Sequence, residues 1–106
     1  MAVVRSLGSA GRLRSPEELE GFEQELIDQY ALAMVGAGLS DSYISSERAV
    51  VFEFVRFLGR PVWTAEPADA DRYLVHARRD RGLARSTVKA KANSLSGFFD
   101  FLIARY

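Results

Sequence analysis

One stretch near the end of the chain concentrates the side chains that could bind a ligand. Cations and small hydrogen-bonding groups follow one another there: Arg85, Ser86, Thr87, Lys89, Lys91 and Asn93. Ammonium and guanidinium groups pair with phosphate oxygens, and hydroxyl and amide groups form hydrogen bonds to phosphates or to base edges. We therefore predict that this stretch binds an anion, and that the anion is a phosphate.

The same stretch begins a predicted amphipathic helix that spans Leu83 to Tyr106. Its apolar residues recur at intervals of three and four, the spacing of one helix face: Val88, Ala92, Leu95, Phe99 and Leu102. Three more apolar residues widen this face: Phe98, Phe101 and Ile103. The helix dipole favours acids, not cations, at a helix start. The start of this predicted helix carries cations although the dipole favours acids there, and this supports the prediction that it binds an anion.

A strong helix start occurs at Ser15, which precedes Pro16 and two glutamates. Serine caps the free N–H groups of a helix, and proline fits the first helical position. Gly36 and Gly38 are expected to end this first helix. Its outer face is predicted to be acidic and exposed: Glu20, Glu23, Glu25 and Asp28. Because acids repel DNA, we expect this face to point away from any nucleic acid.

A second helix is predicted with Ser40 or Asp41 as its cap and with an end near Leu58. Most of its residues are apolar, which predicts a central position among the helices. Three residues lie on its polar side, near the start: Ser45, Ser46 and Arg48.

The third predicted helix has two possible starts. Either Thr64 caps a first tight turn, or Glu66 precedes Pro67 at the first helical position. Gly82 is its expected end.

No run alternates with the period of a strand, and no internal repeat is visible. Four helices joined by short loops predict an all-α bundle, and 106 residues fit one domain, which we place at residues 15–106. Residues 1–14 are rich in Gly, Ser and Arg without a usable period, and we predict a flexible tail there.

Composition narrows the function classes. The chain has 14 basic and 14 acidic residues, so its total charge exerts no strong pull on nucleic acid. Between Arg78 and Lys91, however, there are six cations and one acid, which indicates one basic face.

Cysteine is absent and His76 is the single histidine, so we predict neither a metal site nor a cofactor. No apolar run reaches the roughly 18 residues of a membrane span, and the N-terminus is a poor signal peptide, so we expect a cytoplasmic protein that binds no membrane.

The sequence shows no catalytic pattern. It contains no glycine-rich phosphate loop, and its acids lie at helix starts or on outward faces, so no inward pair is available as general acid and base. We predict that this chain alone is not an enzyme.

Three motifs occur in order along the predicted helices. The second helix contains Leu39-Ser40, Tyr43-Ile44, Val51, Phe54 and Phe57-Leu58. The third contains Trp63-Thr64, Asp69-Ala70 and Tyr73-Leu74. The fourth contains Leu83-Ala84, Ser86-Thr87-Val88, Leu95, Phe98-Phe99 and Leu102. In this order and spacing the chain resembles, over about residues 15–106, the N-terminal core-binding domain of tyrosine recombinases, the family of phage integrases and Xer-type enzymes.

The resemblance implies a fold and a role. The fold is a four-helix, SAM-like bundle, and the domain forms half of a C-shaped clamp around double-stranded DNA at the recombination core site. Its second and fourth helices approach the major groove, so the resemblance implies that Ser45, Ser46 and Arg48 of the second helix add contacts to DNA. The resemblance also implies partners: a catalytic domain of the same recombinase, which supplies the nucleophilic tyrosine, and other recombinase protomers on the DNA. Tyr106 is not expected to be that nucleophile, because it lies on the wrong domain.

Three residues depart from the family pattern. Tyr43 stands where a threonine is usual, Glu47 replaces a frequent tyrosine, and Ala84 replaces the serine that caps the fourth helix. The lost cap predicts a cost of about 1 kcal/mol unless another group replaces it. The alternative function is a helical protein-interaction domain without a nucleic-acid role, which would use the acidic first helix or exposed Phe52 and Phe101.

Overall fold

The computed structural model describes residues 15–106, so the predicted tail at residues 1–14 lies outside the described residues. The described part contains four α-helices: α1 (Pro16–Gly36), α2 (Asp41–Leu58), α3 (Pro67–Val75) and α4 (Arg85–Arg105). A short 3-10 turn, Val62–Thr64, precedes α3, and a π-helical turn, His76–Asp80, continues it. No strand occurs between residues 15 and 106. The predicted all-α fold with four helices is therefore confirmed.

Side-chain chemistry explains where α1 and α2 begin and where α2 ends. The hydroxyl of Ser15 accepts the N–H of Glu18 at 3.0 Å, as expected of an N-cap. Ser40, and not Asp41, caps α2, because its hydroxyl accepts the N–H of Tyr43 at 3.2 Å. Gly59 ends α2 with φ at 70°, a left-handed conformation that glycine adopts without steric cost.

The start of α3 follows the second of its two predicted forms. Glu66 is the N-cap and Pro67 the first helical residue. Thr64 belongs to the 3-10 turn instead, where its hydroxyl donates to the carbonyl oxygen of Pro61 at 2.6 Å. Gly82, with φ at 66°, follows the π-helical turn at the predicted end of this segment.

The core lies where all four helices meet, and α2 contacts each of the other three. Its central ring is Phe54, which packs edge-on against Tyr73 of α3 and Phe99 of α4, with centroids 5.5 and 5.9 Å apart. Where α1 meets α4, the ring of Tyr30 packs edge-on against Phe98, with centroids 5.3 Å apart. Such edge-to-face pairs add to the stabilisation that burial provides. The central position predicted for α2 is thus confirmed.

Two expectations about individual side chains are wrong. Glu23 was expected on the exposed face of α1, but it is half-buried, and its carboxylate accepts the N–H of Val62 at 2.7 Å. Burial raises the pKa of Glu23, the bond from Val62 lowers it, and nearby Glu20 raises it, with a net increase. Ile103 was expected to widen the buried face of α4, but the helix turns its side chain to solvent.

Replacing either of two helix glycines by alanine should change the stability of the domain, but by different amounts. A Cβ added to Gly21 in α1 meets no atom within 4 Å, so Gly21→Ala is expected to stabilise the domain by about 0.5–1 kcal/mol through helix propensity and reduced unfolded-state freedom. At Gly97 in α4, the new Cβ would lie 3.0 Å from the Tyr30 hydroxyl oxygen, so Gly97→Ala is expected to gain less. Urea unfolding of both variants measures the difference. Equal gains would contradict the close approach of Tyr30.

Candidate nucleic-acid interface

Four of the predicted DNA-binding residues share one solvent-exposed side of α4. They form what we call the α4 cationic face: Arg85, Ser86, Lys89 and Asn93. Residues four positions apart in a helix are rotated by only about 40°, so three of these residues, at positions 85, 89 and 93, follow one another along the same side. Among residues 15–106, no carboxylate forms an ion pair with Arg85 or Lys89. Both cations are therefore available to an external anion.

The first turn of α4 lacks a side-chain cap. Ala84 occupies the N-cap position with extended backbone angles, and it has no side-chain oxygen to accept the N–H groups of the turn. Of the two alternatives for Ala84, a cap from another group or a lost cap, the structure shows the second. Free N–H groups and the positive end of the dipole then lie beside Arg85, so the helix start itself adds to the positive potential of the cationic face.

Lys91 lies on another side of α4, towards α2. Its side chain is only 13% exposed, and its Nζ lies 3.1 Å from Oε1 of Glu53. Lys91 was predicted to bind the same anion as Arg85 and Lys89, but its side chain is turned towards the buried face of α4 and pairs with Glu53. A sequence signal for this position exists, because residues 91, 95, 98 and 102 repeat the four-three-four spacing of the buried face. Thr87 is exposed, but it is rotated by about 160° from Lys89 and so lies off the cationic face.

The predicted residues of α2 divide into two groups. Ser45 and Ser46 are exposed in the first turns of α2. The next residue, Glu47, accepts a hydrogen bond at 3.0 Å from the hydroxyl of Ser94, the residue that follows Asn93. This bond shows that the second turn of α2 lies beside the middle of α4, just after the basic stretch ends.

Arg48, in contrast, is directed towards α1. Its Nη2 pairs with Oδ1 of Asp28 at 3.1 Å, and its guanidinium lies 5.8 Å from the ring centroid of Phe52. The acidic side of α1 is thus in contact with α2 at this point. Both groups of the ion pair are well exposed to solvent, and exposed pairs of this kind contribute little to stability.

One carboxylate oxygen of Glu53 in α2 accepts three hydrogen bonds. This oxygen, Oε1, accepts from the Tyr73 hydroxyl at 2.5 Å, from Arg81 Nη1 at 2.6 Å and from Lys91 Nζ at 3.1 Å. Burial raises the pKa of Glu53, but the bonds from Tyr73, Lys91 and Arg81 outweigh this effect and lower the pKa to about 2. The carboxylate therefore stays ionised at neutral pH and binds two of the six cations between residues 78 and 91.

Two further arginines, which were not among the predicted site residues, lie at the turn before α4. Arg78 donates from Nη1 to the carbonyl oxygen of Leu83 at 2.9 Å, and Arg79 is exposed in the same π-helical turn. The bond to Leu83 holds this turn against the segment that leads into α4. Both arginines belong to the run of six cations in the sequence, and that run was the signal for them.

A further pair of polar side chains lies in the π-helical turn after α3. The His76 Nδ1 lies 2.8 Å from an Asp80 oxygen, and its ring stacks on Phe57 with centroids 5.3 Å apart. Nowhere in residues 15–106 do three or more His, Cys, Asp or Glu side chains gather as a metal ion would require. None of the helices in this range combines the length and the apolarity needed to cross a bilayer.

Comparison of the chain with protein-family models, with curated proteins and with solved structures finds no match. The function must therefore be inferred from the geometry and charge of the site.

Proposed function

We propose that residues 15–106 form a duplex-DNA-binding domain. The observation that carries the proposal is the α4 cationic face, where Arg85 and Lys89 are exposed and form no ion pair within residues 15–106, at a helix start without a side-chain cap. Ser86 and Asn93 on the same side can donate hydrogen bonds to phosphates or bases. Ser45 and Ser46 of the neighbouring α2 extend the surface.

The finer form of the proposal is that the domain is the SAM-like core-binding half of a tyrosine recombinase clamp. Its support is the order of the three sequence motifs, together with an arrangement in which α2 and α4 are adjacent. In this role the domain performs no chemistry itself. The catalytic domain of the same recombinase would supply it, and other recombinase protomers would occupy the same DNA.

Binding by the isolated domain should be weak. The total charge is zero, and the cationic face offers two unpaired cations, with Arg78 and Arg79 nearby. Few phosphate contacts place a protein in the non-specific range, with a Kd of about 10⁻⁴–10⁻⁶ M at physiological salt. Titration of a short duplex into the 15N-labelled domain at low salt tests the proposal. Amide shifts should concentrate at residues 42–48 and 85–93, and shifts confined to other regions would refute it.

The double variant Arg85→Ala/Lys89→Ala should bind duplex DNA at least about tenfold more weakly at low salt. Each lost phosphate contact should reduce the slope of log K against log salt by about 0.9, so the slope should fall by roughly 2. Fluorescence anisotropy with labelled duplex at several salt concentrations measures both quantities.

A matched control removes the same charge elsewhere. Arg56→Ala/Arg105→Ala also deletes two exposed arginines, at the end of α2 and at the far end of α4. The slope of log K against log salt for this control should equal that of the unmodified domain. If both double variants lose the same slope, the cationic face has no special part in binding and only total charge matters.

One observation favours the alternative, a protein-interaction domain. Large apolar side chains are exposed around the corner between α1 and α2: Leu32, Val35, Leu39 and Tyr43. Phe52 and Phe101, which the alternative function would use as exposed residues, are half-buried beneath Arg48 and Arg105. A concentration-dependent dimer that Leu32→Ser/Val35→Ser dissociates, in a protein that ignores DNA, would favour this second function.

A further inference from the structure

The Glu53 cluster consists of Glu53, Tyr73, Arg81 and Lys91, and it lies on the side of α4 that packs against α2. It holds two cations of the basic stretch that the cationic face does not include. Arg81 is four residues before Arg85, and Lys91 is two residues after Lys89. The two cations reach the same carboxylate oxygen from opposite ends of this stretch, at 2.6 and 3.1 Å. The Glu53 carboxylate thus binds two cations, the same number that the cationic face exposes.

Glu53 and Arg81 of this cluster are accessible to solvent, whereas Lys91 is largely covered. Glu53 and Arg81 retain 36% and 40% of their side-chain exposure, while Lys91 retains 13%. Ion pairs that water can reach are weak, because solvent screens them and the side chains lose freedom in forming them. A DNA phosphate that reaches this side of α4 can therefore exchange with Glu53 first for Arg81, the more exposed cation, and then for Lys91.

We propose that Glu53 is an internal competitor of the DNA backbone, which holds Arg81 and Lys91 until phosphates take them over. The inference rests on the proposed function and adds a control element to the same site. Without DNA, the carboxylate neutralises part of the basic stretch and ties α2, the turn after α3 and the start of α4 together. With DNA, the two cations contribute phosphate contacts that the free domain does not display.

The variant Glu53→Gln tests this competition. Glutamine keeps the shape and an oxygen that can accept the Tyr73 hydroxyl, but it has no charge to hold Arg81 and Lys91. We expect three- to tenfold tighter duplex binding at low salt, and a slope of log K against log salt that is steeper by about 1–2. Adding Lys91→Ala to Glu53→Gln should remove about half of the gain.

The matched control is Glu25→Gln, which changes the net charge equally at an exposed acid of α1. If Glu25→Gln and Glu53→Gln tighten binding equally, or if Glu53→Gln changes nothing while the unmodified domain binds with a clear salt slope, the competition is refuted and DNA binding stands. If the unmodified domain shows no salt-dependent binding, both proposals fail.

A measurement on the unmodified domain guards against a variant that folds poorly. The side-chain 15N signal of Lys91 can be followed while duplex is added. We expect it to shift together with the signal of Lys89. A Lys91 signal that stays fixed at saturation, while Lys89 moves, would show that the ion pair with Glu53 survives in the complex, and this result would overturn the inference.

Discussion

Replacing Leu95 by alanine should lower the free energy of unfolding by about 2–5 kcal/mol. Leu95 lies on the buried side of α4 and is 2% exposed. Its removal forfeits the burial of three carbon atoms and leaves a cavity that the surrounding rings fill only in part. Urea unfolding followed by circular dichroism measures the loss, and the slope m should stay unchanged if the variant keeps the same fold.

Ile103→Ala is the control on the same helix. Ile103 is of the same size as Leu95 but is 54% exposed, so its truncation should change stability by less than about 0.5 kcal/mol. Similar losses for the two variants would mean that α4 is not oriented as described, and the cationic face, which lies on the side of α4 opposite the core, would then lose its support.

Asp69→Ala should cost about 2–4 kcal/mol at pH 7. The Asp69 carboxylate is 2% exposed, accepts the N–H of Glu66 at 2.7 Å and also binds Arg60 and Arg72. Loss of the helix-start bond costs about 0.5–2 kcal/mol, and hydrogen bonds to a charged group contribute about 1.5–3 kcal/mol. Thermal unfolding measures the effect. Asp71→Ala removes an exposed acid from the same helix and should change little, so a comparable loss there would contradict a specific role for Asp69.

The charge of Asp69 also predicts a pH dependence. The N–H of Glu66 lowers the pKa of Asp69, burial raises it, and Arg60 and Arg72 lower it further, with a net decrease. A lowered pKa means that the carboxylate stabilises the fold above the ordinary aspartate pKa of about 3.9 and loses this effect as pH falls through the lower folded value. The stability difference between the unmodified domain and Asp69→Asn should therefore shrink below about pH 4. A constant difference down to pH 2 would show that the charge is not involved.

Local signals in the sequence were sufficient to predict the helices. Ser15 and Pro16 mark the start of α1, and Gly59 stands where α2 ends. The periodic apolar residues predicted the buried side of α4, with Leu95 and Leu102 both in the core. These features depend on residues close together in the chain, so their chemistry can be read without knowledge of the fold.

The pairing of charges could not be predicted in the same way. Glu53 meets Tyr73, Arg81 and Lys91 across 20, 28 and 38 residues of sequence, and Arg48 meets Asp28 across 20. Such pairs depend on how the helices pack, and no local pattern encodes them. The sequence therefore showed that a basic stretch exists, but it could not separate the available cations, Arg85 and Lys89, from Lys91, which a distant carboxylate binds.

The turn between α3 and α4 has a mechanical consequence. Three bonds close it within a few residues: the N–H of Arg81 to His76, the N–H of Leu83 to Ala77, and the side chain of Arg78 to Leu83. The corner between α1 and α2 exposes large apolar side chains. The turn between α3 and α4, in contrast, is closed by these three hydrogen bonds. The spacing between the arginines before this turn and the cations after it is consequently set by the backbone, rather than by the flexible side chains that carry the charge.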